Sequence, residues 1–179
     1  MIYHKSNDQI LKELDKAVYG HRSAKIALIN LVNRSKMRYQ QLFKANPKFS
    51  KQDAVSNTNC LLIGDSGTGK THLVRTITSI CELPLLCIDA TQLAPTSASE
   101  GFSAEKLIKN VKRFAFDEVE NKPHLYENKD AVLNQVIIFI DEIDKLANSF
   151  DSSKSWNRHV QANFLALFEN NTELENASF

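Results

Sequence analysis

A glycine-rich segment in the middle of the chain has the residue types and spacing of a phosphate-binding loop. Residues 64–71 read Gly-Asp-Ser-Gly-Thr-Gly-Lys-Thr, which matches the pattern G-x-x-x-x-G-K-[ST] at every specified position. Glycines let backbone N–H groups approach a triphosphate closely, and a helix that follows directly points the positive end of its dipole at the phosphates. A flexible glycine turn is the alternative, but the full match favours nucleotide binding.

The residues of this loop have separate expected tasks in binding and hydrolysing ATP. We expect Lys70 to reach the β- and γ-phosphates and to assist catalysis there, and we expect the Thr71 hydroxyl to bind Mg²⁺. The residues expected to contact the nucleotide are Asp65, Ser66, Gly67, Thr68, Gly69, Lys70, Thr71 and His72.

Two acidic residues follow the most apolar run of the sequence. The β-branched segment 136–140 has the composition of a strand buried on both faces, and Asp141 and Glu142 come directly after it. Open α/β sheets place their sites at the carboxyl ends of strands, so we expect Asp141 to hold Mg²⁺ and Glu142 to polarise the attacking water. The alternative is a pair of solvated acids at the start of a helix. The phosphate loop upstream favours catalysis.

The remaining pattern predicts the elements that position these groups. Strands are predicted at 60–63, 85–89 and 136–140, and helical spacing follows the phosphate loop and Ser103. Ser6 to Gln9 have the spelling of a capping box before a first helix, and a longer helix begins near Ser23. Residues 160–168 carry the apolar stripe of a last helix. The alternation of predicted strands and helices along the chain indicates an α/β fold with a parallel sheet.

Composition narrows the function classes. The 179 residues are 42% hydrophobic with a net charge of +1, which suits one domain and gives no argument for nucleic acid. No apolar run is long enough to span a membrane, and the three cysteines form no C-x-x-C pair, so we expect a cytoplasmic protein with buried, reduced thiols. The second predicted helix has a basic side, expected to be solvated: Arg22, Lys25, Arg34, Lys36, Arg38 and Lys44.

Six strings occur in an order and spelling that resemble the AAA+ protein unfoldases of the ClpX and HslU type. They are Leu14 to His21, the phosphate loop, Asp89 to Thr91, Gly101 to Ala104, Ile140 to Lys145, and Val160 with Gln161. The resemblance covers nearly the whole chain. It implies a P-loop NTPase (AAA+) large subdomain with a parallel sheet, preceded by an N-terminal helical segment at residues 1–55 and formed by residues 56–179.

The resemblance also implies roles that the residue pattern alone does not give. Val18 and Tyr19 match the segment that contacts adenine in the family. Gly101, Phe102 and Ser103 match the pore loop that grips an unfolding polypeptide, although Ser103 stands where the family has an aliphatic residue. The implied assembly is a homo-hexameric ring that translocates protein substrates and works with a protease.

In the family, the sensor-1 strand, the arginine finger and the small helical domain come later than position 179. We therefore expect the N-terminal part of an AAA+ module, truncated before the sensor-1 strand. The strands ending at Ile63 and Ile140 should then either flank a gap with unpaired backbone groups or pair directly.

Two other functions stay open at this point. One is a shortened nucleotide-binding subunit that does not turn over. The other is an AAA+ helicase or clamp loader acting on DNA, which only the basic side of the second helix supports.

Overall fold

Seven helices and strands account for the regular structure in the computed structural model, which describes residues 5–43, 59–90 and 104–145. In chain order they are α1 (Asn7–Ala17), α2 (Arg22–Phe43), α3 (Lys70–Ile80), β1 (Leu85–Asp89), α4 (Ala104–Asn121), α5 (Lys129–Leu133) and β2 (Ile137–Asp141). The predicted pore loop at 101–103 and the predicted last helix at 160–168 lie outside the described residues.

The described residues divide into two compact units. The first holds residues 5–43, 59–85 and 134–137, and the second holds residues 86–90, 104–133 and 138–145. The sequence-based boundary at residue 55 stays a prediction.

Helix α1 begins with the predicted capping box. The Ser6 hydroxyl accepts a hydrogen bond from the Gln9 N–H (3.3 Å), and the Gln9 side chain accepts one from the Ser6 N–H (2.7 Å). Two otherwise unpaired backbone donors are thereby satisfied. The apolar face of α1 buries Ile10 and Leu14 completely.

The core of the first unit forms where α1, α2 and α3 pack against one another. Apolar residues three and four apart on each helix supply it. The buried members on α2 and α3 are Leu28, Ile29, Val32, Leu73, Val74 and Ile77. One member of the predicted basic side does not follow the prediction: Lys25 is buried with these apolar residues. The expectation that Lys25 is solvated is therefore wrong. An ion pair makes its burial possible, and the spacing of residues along a helix does not predict this pair.

Strands β1 and β2 form a two-stranded parallel sheet. At the start of both strands, the Ile137 N–H donates a hydrogen bond of 2.9 Å to the carbonyl oxygen of Pro84, the residue before β1. Helices α4 and α5 lie between the two strands in the chain, as the crossover between parallel strands requires. Every residue of β2 is half-buried, so the expectation of a strand buried on both faces is wrong within the described residues.

A second core packs α4 against α5. Ala115, Tyr126 and Val132 are buried together, and four partly buried side chains surround them: Phe114, Val119, Leu125 and Leu133. The Asn128 side chain accepts a hydrogen bond from the Ala131 N–H (2.9 Å), which supports the start of the short helix α5.

The strand predicted at 60–63 is wrong. These residues are irregular, and Leu61 and Ile63 are exposed, Ile63 to 88%. A strand gains its backbone hydrogen bonds only from a neighbour, and the sheet formed by the described residues pairs β1 with β2 alone. Direct pairing of the segments ending at Ile63 and Ile140 is therefore not observed.

The cysteines share no common environment, contrary to the expectation that all three are buried. Cys81 is buried, Cys87 is half-buried and Cys60 is exposed in the irregular segment. No helix in the described ranges is long and apolar enough to cross a membrane.

The packing of α1 yields a stability prediction. Leu14→Ala should lower the free energy of unfolding by about 2–5 kcal/mol, because it leaves a cavity where a fully buried side chain contacts its neighbours. The matched control is Ile26→Ala on α2, where the side chain is 43% exposed and the change should stay within about 0.5 kcal/mol. Urea denaturation followed by circular dichroism measures both. Equal midpoints for the two variants would contradict the packing.

Candidate nucleotide-binding site

The phosphate loop owes its shape to two left-handed glycines. Gly67 has φ 80° and Gly69 has φ 87°, and Gly69 is the N-cap of α3. A Cβ added at either glycine would meet no atom within 4 Å, so the requirement for glycine is conformational rather than steric. The Gly69 carbonyl accepts the Leu73 N–H at 2.8 Å, which starts α3 directly behind the loop.

Gly64 is needed for a different reason. Its φ lies outside the left-handed region, but a Cβ there would come within 3.2 Å of the Thr68 hydroxyl. That hydroxyl donates to the Asp65 carbonyl oxygen at 2.8 Å and holds the turn of the loop together. The loop therefore closes on itself at a point where a larger residue would push it open.

The Lys70 side chain lies across this closed loop. Its ammonium donates to the carbonyl oxygens of Gly64 (2.7 Å) and Asp65 (2.8 Å). These contacts hold a positive charge against the loop and leave the ammonium accessible, because they lie at the exposed surface. A phosphate oxygen is a stronger acceptor than a peptide carbonyl, so an arriving triphosphate could replace these bonds.

The neighbouring site residues have distinct surroundings. Thr71 is half-buried in the first turn of α3. His72 is exposed, and it lines an open groove between α1 and α3 with Lys16 and Arg75. Asp65, Ser66 and Thr68 are exposed in the loop.

The segment expected to contact adenine lies in the same unit as the loop. Val18 is the C-cap of α1 and is buried, whereas the Tyr19 side chain is 98% exposed. The two following residues, Gly20 (φ 71°) and His21 (φ 54°), both have left-handed backbones. The buried valine anchors a turn that leaves the tyrosine ring open to solvent.

The acidic pair lies in the second unit, at the carboxyl end of β2 as predicted. The Asp141 carboxylate accepts the Glu142 N–H (3.0 Å), and Glu142 has a left-handed backbone with φ 57°. For a non-glycine residue this conformation is uncommon and costs about 1–3 kcal/mol. The left-handed residue lies directly after the end of β2.

Lys145 holds the Glu142 side chain. Its ammonium donates to Glu142 Oε2 at 2.5 Å, and its N–H donates to the Glu142 carbonyl at 2.9 Å. The hydrogen bond to Glu142 raises the pKa of Lys145 above its usual value, and the Asp89 and Asp144 carboxylates act in the same direction. Sequence reasoning assigned Lys145 no task. Its position three residues after Glu142 in Asp-Glu-Ile-Asp-Lys was the available signal.

The residues present fit a magnesium ion by their chemistry. A threonine hydroxyl and an aspartate carboxylate are hard oxygen ligands, which Mg²⁺ prefers, and protein sites for nucleotide-bound Mg²⁺ use one or two carboxylates. Thr71 has such a hydroxyl at the start of α3 in the first unit, and Asp141 has such a carboxylate at the end of β2 in the second unit.

Comparisons with known proteins identify the family of the chain. Residues 60–178 match the family described as the ATPase family associated with various cellular activities (AAA). The chain is 32% identical over 146 residues to the ATP-dependent Clp protease ATP-binding subunit ClpX of Bacteroides thetaiotaomicron, a match that covers 80% of this chain and 31% of that protein. The ClpX of Porphyromonas gingivalis is 31% identical over 145 residues, with the same shares covered.

A second kind of relative shares a shorter stretch. The ATP-dependent protease ATPase subunit HslU of Parvibaculum lavamentivorans is 33% identical over 107 residues, which are 60% of this chain and 23% of that protein. The chain thus spans less than a third of the length of the relatives it matches.

The left-handed glycines can be tested directly. Gly69→Ala should weaken ATP binding about tenfold, because an alanine at φ 87° costs about 1–3 kcal/mol or forces the loop to rearrange. The control is Ser79→Ala, at an exposed position of the same helix, which should bind like the parent. Titration with a fluorescent ATP analogue measures both. Parent-like affinity for Gly69→Ala would show that this conformation is not needed for binding.

Proposed function

Because this chain belongs to the AAA family and is an AAA+ ATPase of the ClpX/HslU type, we propose that it binds ATP at residues 64–71 and hydrolyses it with Glu142. The observation that carries the proposal is the loop itself. Gly67 and Gly69 have left-handed backbones, a Cβ at either would meet open space, and α3 begins directly after them. That arrangement suits the oxygens of a triphosphate.

Binding would proceed by exchange of hydrogen bonds at Lys70. Its ammonium leaves the carbonyl oxygens of Gly64 and Asp65 and donates to the β- and γ-phosphates. The Thr71 hydroxyl and the Asp141 carboxylate would hold Mg²⁺. When bound, this ion neutralises charge that develops on the phosphates.

Glu142 would act as the general base. Its carboxylate orients the attacking water and accepts a proton from it, a contribution typically of about 10²- to 10⁴-fold. The ion pair with Lys145 supports this assignment by its geometry, because it holds the Glu142 side chain in one place at the carboxyl end of β2. The left-handed turn at Glu142 supports it as well, since strained backbone gathers at functional sites.

The relatives suggest what the hydrolysis drives. They are named as ATP-binding or ATPase subunits of proteases. We extend this to the present chain as a proposal: a subunit of a homo-hexameric ring that unfolds protein substrates, passes them through its pore and works with a protease in the cytoplasm. The pore loop at Gly101, Phe102 and Ser103 is part of that proposal and remains a prediction.

Lys70→Met tests phosphate binding. Removal of the ammonium should weaken ATP binding by about 10- to 100-fold, because hydrogen bonds to charged groups contribute about 1.5–3 kcal/mol. The control is Lys12→Met, at an exposed position of α1, which should retain parent affinity. Isothermal titration calorimetry with MgATP measures both variants. Equal affinities for them would remove Lys70 from the site.

Glu142→Gln tests hydrolysis separately from binding. The amide keeps the size of the side chain but cannot accept the proton, so affinity for ATP should persist while hydrolysis falls at least about 100-fold. Single-turnover assays with radiolabelled ATP provide the rates, and Glu120→Gln on the exposed side of α4 is the control. Parent-like hydrolysis by Glu142→Gln would exclude it as the base. If the parent chain binds ATP but does not hydrolyse it, the result would favour the alternative function of a nucleotide-binding subunit without hydrolysis.

A further inference from the structure

Lys25 is a buried charge without a task in the function proposed so far. Its exposed fraction is 1%, and Lys25 and Thr78 are the only buried polar residues in the described part of the chain. Its ammonium donates to Asp15 Oδ1 at 2.7 Å and to the Val18 carbonyl oxygen at 2.5 Å. Burial of a lysine is costly unless its charge is paired, so this arrangement is specific rather than incidental.

Both partners of Lys25 lie at the end of α1. Asp15 is in the last turn of that helix, and Val18 is its C-cap. The Val18 N–H already donates to the Leu14 carbonyl at 2.8 Å, so the bond from Lys25 fixes the remaining backbone group of this residue. A cation near a helix C-terminus also interacts favourably with the helix dipole.

Lys25 also holds the far end of the same turn. Its backbone N–H donates to the His21 carbonyl at 2.9 Å, in the first turn of α2. One residue therefore binds the first and last carbonyl groups of segment 18–21. This segment contains Gly20 and His21, whose consecutive left-handed conformations persist only where the surrounding contacts require them.

We propose that Lys25 is a positioning residue for recognition of the nucleotide base, because it fixes segment 18–21 and thereby the place where Tyr19 is displayed. This inference rests on the proposed function, in which Val18 and Tyr19 contact adenine. The 98% exposed ring of Tyr19 presents its aromatic faces to a ligand. A rigid turn holds the backbone of Tyr19 in one place, which lowers the entropy lost when a base stacks on its ring.

A purely structural lysine makes a different prediction from a positioning lysine. If Lys25 is only structural, its loss loosens the whole first unit and lowers the affinity for every ligand of the phosphate loop by the same factor. If Lys25 positions Tyr19, its loss frees segment 18–21 and lowers the affinity only for ligands that carry a base. The comparison of ATP with inorganic tripolyphosphate, which has the phosphates without the base, separates the two.

The experiment measures the affinities of the parent chain and of Lys25→Met for MgATP and for magnesium tripolyphosphate by calorimetry. We expect Lys25→Met to bind ATP about tenfold more weakly and tripolyphosphate within about twofold of the parent. Equal weakening of both ligands, or of neither, overturns the proposal. A parent that binds neither ligand overturns the proposed function itself, and this outcome is distinct from a failure confined to Lys25.

Two further variants keep the test decisive if Lys25→Met does not fold. Asp15→Asn weakens the ion pair with Lys25 at a carboxylate that is 52% exposed. This variant should therefore lose about threefold in affinity for ATP while its affinity for tripolyphosphate stays at the parent value. In a Tyr19→Ala background the same change should have no further effect on ATP affinity, because the ring it positions is gone. Additive losses from Asp15→Asn and Tyr19→Ala would contradict the proposal.

Discussion

The structure depends on one requirement: the phosphate loop must turn tightly and lead directly into α3. Side chains at three positions would prevent this, for two physical reasons. Gly67 and Gly69 adopt left-handed angles that other residues rarely accept, whereas Gly64 leaves the space that the Thr68 hydroxyl needs to close the turn. The sequence pattern specifies where glycines occur in the loop, and the geometry explains why each of them is a glycine.

The helices of the first unit serve this loop. α3 begins at its last glycine, so the packing of α1 and α2 against α3 fixes the direction of the helix dipole behind the loop. The same packing buries Lys25, which ties the end of α1 to the start of α2 through the turn that carries Tyr19. The segment assigned to the base and the loop assigned to the phosphates therefore belong to one folded unit.

Much of this could be predicted from the sequence, since local rules determine it. The capping box of α1, the helix after the loop, the existence of strands β1 and β2 and the acids at the end of β2 all follow from spacing and turn chemistry. Non-local pairing determines what the sequence did not reveal. Residues 60–63 have the composition of a strand but lack a neighbour among the described residues, and Lys25 is buried because Asp15, ten positions earlier, lies beside it. The ion pair of Glu142 with Lys145 likewise accompanies a left-handed backbone at Glu142 that the residue pattern does not predict.

The most direct test of the account is to locate a bound nucleotide residue by residue. Backbone amide signals of the isotope-labelled chain can be followed by NMR during titration with MgATP. We expect the largest shifts at residues 66–71, where the N–H groups would meet the phosphates, and a second set at residues 18–21. Saturable shifts elsewhere, with the amides of 66–71 unmoved, would contradict the central claim that this loop holds the triphosphate.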